Sequence, residues 1–155
     1  MMNRFNRIVA LLRGAQTANK TEPEIAKELE VYTEDNQHFE SLNYLKSVFY
    51  ETSKSRGWHS EKEINIGNFL CNLHGEVSEL WEAWRADALY KPCDKADKME
   101  KLTGVALNCA EEELADIIIR ALDTAATLNI DIAKAVKIKN EYNKTREHRH
   151  GGKLA

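Results

Sequence analysis

The sequence has few of the residues that interrupt regular structure. Its 155 residues include only seven glycines and two prolines, which leaves little of the turn chemistry that a hairpin-rich sheet needs. Uninterrupted apolar runs extend over only a few residues, so we expect no membrane-spanning segment and no membrane partner. The three cysteines form no CxxC pair, which is most simply explained by reduced thiols in the cytosol. These absences favour a cytoplasmic, helical, globular protein.

The charge of the chain is nearly balanced overall and uneven locally. A net charge of −3 gives no strongly basic surface, which argues against a nucleic-acid partner. Lysine and arginine nevertheless dominate residues 133–155, while four acids fall within residues 109–116. This segregation is typical of a protein that holds an anionic ligand between a basic segment and an acidic one.

Apolar residues recur at helical spacing in six segments, residues 4–17, 24–31, 38–55, 64–88, 109–128 and 132–147. Gly57 follows the third segment as a helix stop, and Asp131 is placed to cap the last helix. Residues 90–104 are predicted to form a loop with a short helix. The sequence therefore predicts an all-α helical bundle over residues 39–155, preceded by an additional N-terminal helical segment over residues 1–38 of unassigned role.

Two acids occupy an unusual position in the segment 64–88. At about 100° per residue, Glu76 projects from the middle of an apolar face. That face consists of Phe69, Leu73, Leu80, Ala83 and Trp84. Glu79 lies one turn further on, at the edge of the same face. Burying an unpaired carboxylate is costly, and the usual escapes are protonation, an ion pair or a metal ion. A single ExxE on a helix is more often a glutamate that reaches solvent or pairs with arginine.

The segment 109–128 carries a second acidic pair, Glu113 and Asp116. Apolar residues cover more than half of this helix, so it is expected to pack on several sides. The remaining narrow polar stripe consists of Glu112, Glu113, Asp116, Arg120, Asp123, Thr124 and Thr127. This stripe either faces water or faces a polar cavity that it shares with Glu76 and Glu79.

Together the two pairs make an ExxE…ExxD constellation on two long helices. Four carboxylates that face one another repel, and hard divalent cations would relieve the repulsion. Oxygen-only ligands favour Mg²⁺ or Mn²⁺ over zinc. A di-iron bundle would need two ExxH motifs, and the sole ExxH here lies at residues 147–150, at the chain end.

The last predicted helix presents a basic face. Lys139, Asn143 and Arg146 fall within about 60° of one another, and a basic, glycine-containing tail follows over residues 149–153. Lysine, arginine and an amide on one face suit phosphate oxygens. The alternative is a basic helix C-terminus that the helix dipole favours, followed by a frayed tail.

Three ordered blocks of the sequence resemble the MazG-like all-α nucleoside triphosphate pyrophosphohydrolases, in the compact branch common in bacteria and their phages. The resemblance covers roughly residues 42–153, and its blocks are Asn65-Ile66…Leu73-His74-Gly75-Glu76-Val77-Ser78-Glu79 with Glu82-Ala83-Trp84-Arg85, Glu112-Glu113-Leu114-Ala115-Asp116-Ile117-Ile118-Ile119-Arg120, and Lys139…Tyr142-Asn143-Lys144-Thr145-Arg146…Arg149-His150-Gly151-Gly152-Lys153.

The resemblance implies a bundle that dimerises or pairs its dimers into tetramers. It implies that Mg²⁺, held by Glu76, Glu79, Glu113 and Asp116, supports hydrolysis of a nucleoside triphosphate to the monophosphate and pyrophosphate, a reaction of nucleotide-pool house-cleaning. Glu79 is the carboxylate that we expect to orient or deprotonate the water.

The substrate contacts that the resemblance implies lie elsewhere in the chain. Lys139, Asn143 and Arg146 would contact the phosphates, and Trp58 and Asn65 the base or ribose. The sequence departs from the family in a long spacer between its acidic pairs, in Asn68-Phe69 where relatives often have an acidic-basic pair, and in Glu147 where a proline is common.

Two other functions compete with hydrolysis. The first is a non-catalytic helical interaction module that retains the bundle, with its acids solvated. The second is a nucleic-acid binder that uses the basic tail, which the acidic net charge and the lack of aromatic residues between positions 144 and 153 disfavour. No P-loop and no Ser/His/Asp arrangement offers a competing chemistry.

Overall fold

The computed structural model describes residues 22–59 and 64–147, with side chains from residue 36 onward. These residues form five α-helices and no strand, so the predicted all-α class is confirmed for the part of the chain described. The helices are α1 (Glu22–Ser55), α2 (Ile66–Arg85), α3 (Ala96–Thr103), α4 (Cys109–Thr127) and α5 (Ile132–Lys144). The predicted helix at residues 4–17 lies outside the described residues.

The described residues fall into two compact units. Leu42–Ala135 form one, here called the central unit, while residues 22–41 and 136–147 belong to the other, here called the terminal unit. All four predicted metal ligands lie in the central unit. The predicted phosphate-binding residues lie in the terminal unit.

Helix α1 corrects one prediction, because residues 24–31 and 38–55 belong to a single helix rather than to two. The intervening residues 32–37 lack the apolar spacing of a packed helix, but they contain no glycine or proline. Polar side chains cost an established helix only a few tenths of a kcal/mol each, roughly, so nothing there breaks it. Gly57, at φ 89°, stops the helix as predicted, and its N–H donates to the Lys54 carbonyl at 3.0 Å.

The loop between α2 and α4 returns the chain so that these two helices pack against each other. Its two ends pair, since the N–H of Cys93 donates to the Leu107 carbonyl at 3.1 Å and that of Cys109 to the Lys91 carbonyl at 3.0 Å. Helix α3 is the short helix predicted within this loop. Asn108 and Glu111 then open α4 with a reciprocal capping box, which satisfies two otherwise unpaired N–H groups.

The turn between α4 and α5 is tied to α1 by side-chain hydrogen bonds. The Asp131 carboxylate accepts from the Lys134 N–H at 3.1 Å, which confirms the predicted N-cap, and from Asn43 Nδ2 at 3.0 Å. These two hydrogen bonds lower the pKa of Asp131. Lys46 Nζ adds a bond to the Ile130 carbonyl at 2.7 Å.

Helix α5 ends at Lys144, three residues earlier than predicted. The N–H groups of Thr145 and Arg146 donate to carbonyls three residues back, at 3.1 Å each, and Thr145 Oγ1 also donates to the Tyr142 carbonyl. These contacts tighten the final turn and replace the helical pattern. The predicted continuation to residue 147 is therefore wrong.

Few apolar side chains are fully buried among the described residues. The buried ones are Cys93, Ala96, Leu122, Ala125 and Ala133, and many larger apolar residues stay exposed. Within the described ranges, no helix combines the length and apolarity needed to cross a membrane.

Candidate functional site

Three of the four predicted metal ligands converge where α2 packs on α4. One carboxylate oxygen each from Glu76, Glu113 and Asp116 lies within 4.8 Å of the other two. Glu76 and Glu113 are each only 8% exposed. Glu76 thus occupies the buried position that its place on the apolar face predicts.

The polar stripe of α4 points largely inward. Its members Glu112, Glu113, Asp123 and Thr124 are all buried, so the interpretation of a stripe that simply faces water is wrong for them. Because α2 covers this side of α4, polar groups from both helices share one interior region.

Glu79 does not join this group of three. Its side chain is exposed, one turn beyond Glu76 on α2. Its negative charge is nevertheless close enough to raise the pKa of Glu113. The structure therefore brings together three carboxylates and leaves the fourth at their solvent side.

Burial and like charge both disfavour the ionised form of these acids. Burial is the larger cause that raises the pKa of Glu113 to about 7, and the charges of Glu79, Glu112 and Glu76 add to it. Burial likewise raises the pKa of Asp116, with Glu76 as the next cause. Such a cluster gains from any cation that neutralises it.

Glu113 also offers an unused ligand atom. Its Oε2 is buried and has no hydrogen-bond partner among the described residues. A buried acceptor without a donor is costly, whereas a hard divalent cation takes carboxylate oxygens from just such a set. Glu76, Glu113 and Asp116 therefore fit Mg²⁺ or Mn²⁺.

Two basic side chains pair with acids in and beside the cluster. Arg120 Nε donates to Glu76 Oε1 at 3.0 Å. Lys95, immediately before α3, donates from Nζ to the buried Glu112 Oε1 at 2.5 Å. This hydrogen bond is the main cause that raises the pKa of Lys95. Nothing in the sequence singles out Lys95, because a lysine in a loop rich in Lys and Asp is usually solvated.

The raised pKa of Glu113 predicts how the stability of the metal-free protein depends on pH. The folded state holds this proton more tightly than the unfolded chain, so the free energy of unfolding should fall as pH rises from about 4.5 to about 7. Glu113 alone would contribute up to about 3 kcal/mol to this fall. Urea unfolding in EDTA at a series of pH values measures it.

Glu113→Gln is the matched control for this pH dependence. The variant removes one titrating group at nearly constant volume, so its stability should exceed that of the wild type increasingly as pH rises to about 7. Parallel stability curves for the two proteins would show that Glu113 titrates normally.

A small cleft lies beside the acids and contains both predicted base-contacting residues. It has a volume of about 100 Å³. Its lining consists of Trp58, His59, Ile64, Asn65, Asn68, Phe69, Asn72, Arg120 and Asp123. The Arg120 guanidinium lies 5.1 Å from the centroid of the half-exposed Trp58 ring. Since Arg120 also pairs with Glu76, one side chain connects the cleft with the carboxylates.

A buried histidine–aspartate pair forms part of the cleft wall. His59 Nε2 donates to Asp123 Oδ1 at 2.9 Å, and their side chains are only 2% and 4% exposed. The His59 ring packs against Tyr50 and Phe69, with centroids 4.5 and 5.3 Å away. Asp123 was visible in the polar stripe of α4, but nothing in the sequence singles out His59 as its partner.

The predicted phosphate-binding residues all belong to the terminal unit. Lys139, Asn143 and Arg146 are exposed there, and Lys139 Nζ lies 4.8 Å from the centroid of the Tyr142 ring. Their role in phosphate binding stays a prediction from the resemblance. The basic tail at residues 149–153 lies outside the described residues.

The chain was compared with family models, curated proteins and solved structures. No family model, no curated protein and no solved structure matches the chain. The features that bear on function are therefore the geometry of the carboxylates and the sequence blocks that contain them.

Proposed function

We propose that this protein is a Mg²⁺-dependent hydrolase that cleaves a nucleoside triphosphate into the monophosphate and pyrophosphate, as in nucleotide-pool house-cleaning. The observation that carries the proposal is the convergence of Glu76, Glu113 and Asp116 within 4.8 Å on two packed helices. Repelling, buried carboxylates of this kind are expensive to maintain in a purely structural role. The resemblance of the surrounding blocks to the MazG-like family supports the same reaction.

Each residue of the site has a proposed task. Glu76, Glu113 and Asp116 would hold the metal, which when bound supplies neutralisation of phosphate charge. Glu79 is exposed at the edge of the cluster, and we propose that its carboxylate orients or deprotonates the attacking water. Lys95 and Arg120 keep the neighbouring acids Glu112 and Glu76 paired and oriented. The proposed reaction releases pyrophosphate as one unit.

The products identify the reaction. Purified protein with Mg²⁺ and each common or modified nucleoside triphosphate should yield pyrophosphate and the monophosphate, resolved by ³¹P NMR. Addition of EDTA should stop the release. Orthophosphate and a diphosphate as first products would contradict the proposed bond cleavage, even if the metal dependence held.

We also propose that the protein works as a homodimer or homotetramer. One side of α2 exposes Leu70, Val77, Trp81 and Trp84, at positions that recur with helical spacing, and Trp81 and Trp84 stack with centroids 4.7 Å apart. Trp84 was predicted on the same face as Glu76, but it is 56% exposed and lies with this stripe instead. Contiguous exposed apolar patches often mark interaction surfaces in soluble proteins, and a second copy would cover this stripe by symmetry.

Trp81→Glu tests this assembly. A charge in the centre of the stripe should shift the mass measured by light scattering after gel filtration from that of an oligomer to that of a monomer, because an unpaired carboxylate would be buried at the interface. Tyr90→Glu, at an exposed aromatic residue in the loop after α2, is the control and should leave the mass unchanged. A wild-type monomer at micromolar concentration would contradict the proposal outright.

The rival function is a non-catalytic interaction module built on the same bundle. The exposed α2 stripe suits a partner protein as well as a second copy. Metal titration separates the two functions, since a ligand that binds only the folded state raises its melting temperature. An enzyme of the proposed kind should be stabilised by Mg²⁺ or Mn²⁺, whereas a module whose carboxylates bind no metal should not.

A further inference from the structure

A lysine from the loop between α2 and α4 lies at the edge of the carboxylate cluster. Lys95 Nζ donates to Glu112 Oε1 at 2.5 Å, and its other acidic neighbour, Asp94, is 3.8 Å away. The Lys95 side chain is half-exposed, whereas that of Glu112 is buried. Because an ammonium group has three N–H donors, Lys95 can pair with Glu112 and still donate to a ligand from its solvent side.

The position of Glu112 on α4 brings this ammonium group close to the proposed metal ligands. Glu112, Asp116 and Arg120 are spaced by four residues, so their side chains follow one another along one side of the helix. Burial raises the pKa of Asp116, as does the charge of Glu76, and the positive charge of Lys95 opposes this rise. The charge of Lys95 therefore acts on the carboxylate cluster as well as on its own partner.

Two cationic groups thus flank Asp116 along α4. The Cα atoms of Glu112 and Arg120 lie about 12 Å apart along the helix axis, because each residue adds about 1.5 Å. Arg120 lines the cleft that contains the predicted base-contacting residues, whereas Lys95 lies at the other end of this row, beside Glu112. A nucleoside triphosphate with its base end at the cleft would direct its last two phosphates toward Lys95.

We propose that Lys95 is a further substrate contact, whose ammonium group binds the β- and γ-phosphates and stabilises pyrophosphate as it leaves. This inference rests on the proposed function, because it adds a residue to the same site. As water attacks the α-phosphorus, the bond from that atom to the bridging oxygen breaks. The electron pair stays on pyrophosphate, and the proton of the water passes to Glu79 or to solvent. A fixed positive charge where this negative charge develops lowers the barrier.

Inorganic pyrophosphate tests this contact without hydrolysis. In isothermal titration in Mg²⁺ buffer, Lys95→Met should bind pyrophosphate about ten- to a hundredfold more weakly than the wild type, the range expected for one hydrogen bond between charged groups. Lys101→Met, the same substitution at an exposed lysine of α3, is the control and should bind like the wild type. Unchanged affinity in Lys95→Met, an equal loss in Lys101→Met, or no measurable binding by the wild type would overturn the proposal.

A second substitution at Glu112 distinguishes a contact from a structural effect. Lys95→Met leaves the buried Glu112 carboxylate unpaired, which costs stability. Adding Glu112→Gln removes that charge, so the double variant should regain stability in urea unfolding and still bind pyrophosphate weakly. Glu112→Gln alone keeps the ammonium group and should bind pyrophosphate at least as tightly as the wild type. If the double variant bound as tightly as Glu112→Gln, Lys95 would act only through its pairing, and the proposal would fail.

The outcomes separate this contact from the hydrolase itself. Pyrophosphate release from a triphosphate, together with equal pyrophosphate affinities in the wild type and Lys95→Met, would remove the contact and leave the hydrolase. Pyrophosphate binding that depends on Lys95, in a protein that cleaves no triphosphate, would leave the contact and contradict the hydrolase.

Discussion

Glu76→Gln should lower kcat/KM for pyrophosphate release by about 10²–10³-fold, the loss typical of one electrostatic contact in an active site. It should also abolish most of the rise in melting temperature that Mg²⁺ produces. Glutamine keeps an oxygen that can accept from Arg120 Nε, now at 3.0 Å from Glu76 Oε1, so the fold should survive. What the variant removes is one negative charge from the three converging carboxylates.

The same helix offers a matched control for this variant. Glu82 lies on α2, is 65% exposed and pairs with Arg85, three residues on, at 3.2 Å. Surface pairs of this kind contribute at most about 1 kcal/mol, so Glu82→Gln should retain both activity and the response to Mg²⁺. Full activity in Glu76→Gln would leave the carboxylate cluster without a catalytic role.

Asp123→Ala should lower the free energy of unfolding by about 2–4 kcal/mol, the cost of breaking a buried, charge-assisted hydrogen bond. The partner His59 would lose its acceptor in a position only 2% exposed, because Tyr50 and Phe69 hold its ring there. Urea unfolding at constant pH measures the loss. Asp94→Ala, at an aspartate that is 81% exposed, should change stability by less than about 0.5 kcal/mol.

A double-mutant cycle attributes this loss to the pair. In a His59→Phe background the aspartate has no histidine donor, so Asp123→Ala should cost less than it does in the wild type. If both backgrounds lost the same stability, the effect would come from the cavity alone. The measured coupling therefore distinguishes hydrogen bonding from packing.

The convergence of Glu76, Glu113 and Asp116 could be predicted from the sequence, because it follows from the periodicity within each helix. Glu76 falls on the apolar face of its own helix, and Glu113 and Asp116 fall on the narrow polar stripe of theirs, so each helix alone fixes which way these side chains point. Packing of α2 on α4 then brings them together. Glu79 lies at the edge of its face, and there a difference of a few tens of degrees decides between burial and exposure.

The contacts that sequence reasoning missed join distant segments. His59 and Asp123 are 64 residues apart, and Lys95 and Glu112 are 17 apart across a loop. Neither His59 nor Lys95 belongs to a periodic pattern that would orient it. Their positions follow from how the loops close over the helices, which single-sequence periodicity does not contain.

Two predicted helix boundaries, at residues 32–37 and at residue 147, are wrong. The polar spacing of residues 32–37 predicts a break there, yet α1 runs through them, because backbone hydrogen bonds need no apolar side chains. At the other end, the predicted helix extends over the polar residues 145–147, whereas α5 ends at Lys144. Helix-breaking and capping residues, such as Gly57 and Asp131, predict the helix ends more accurately.

Arg120 contacts both Glu76 and the Trp58 ring, so it couples the carboxylate cluster to the cleft energetically. A cation that draws Glu76 away from the guanidinium changes the surroundings of the Trp58 ring, and a ring-shaped ligand stacked beside Trp58 changes the guanidinium that holds Glu76. Linkage requires these effects to be equal in free energy. If the proposed Mg²⁺ and nucleotide both bind, each must change the other's affinity by the same factor.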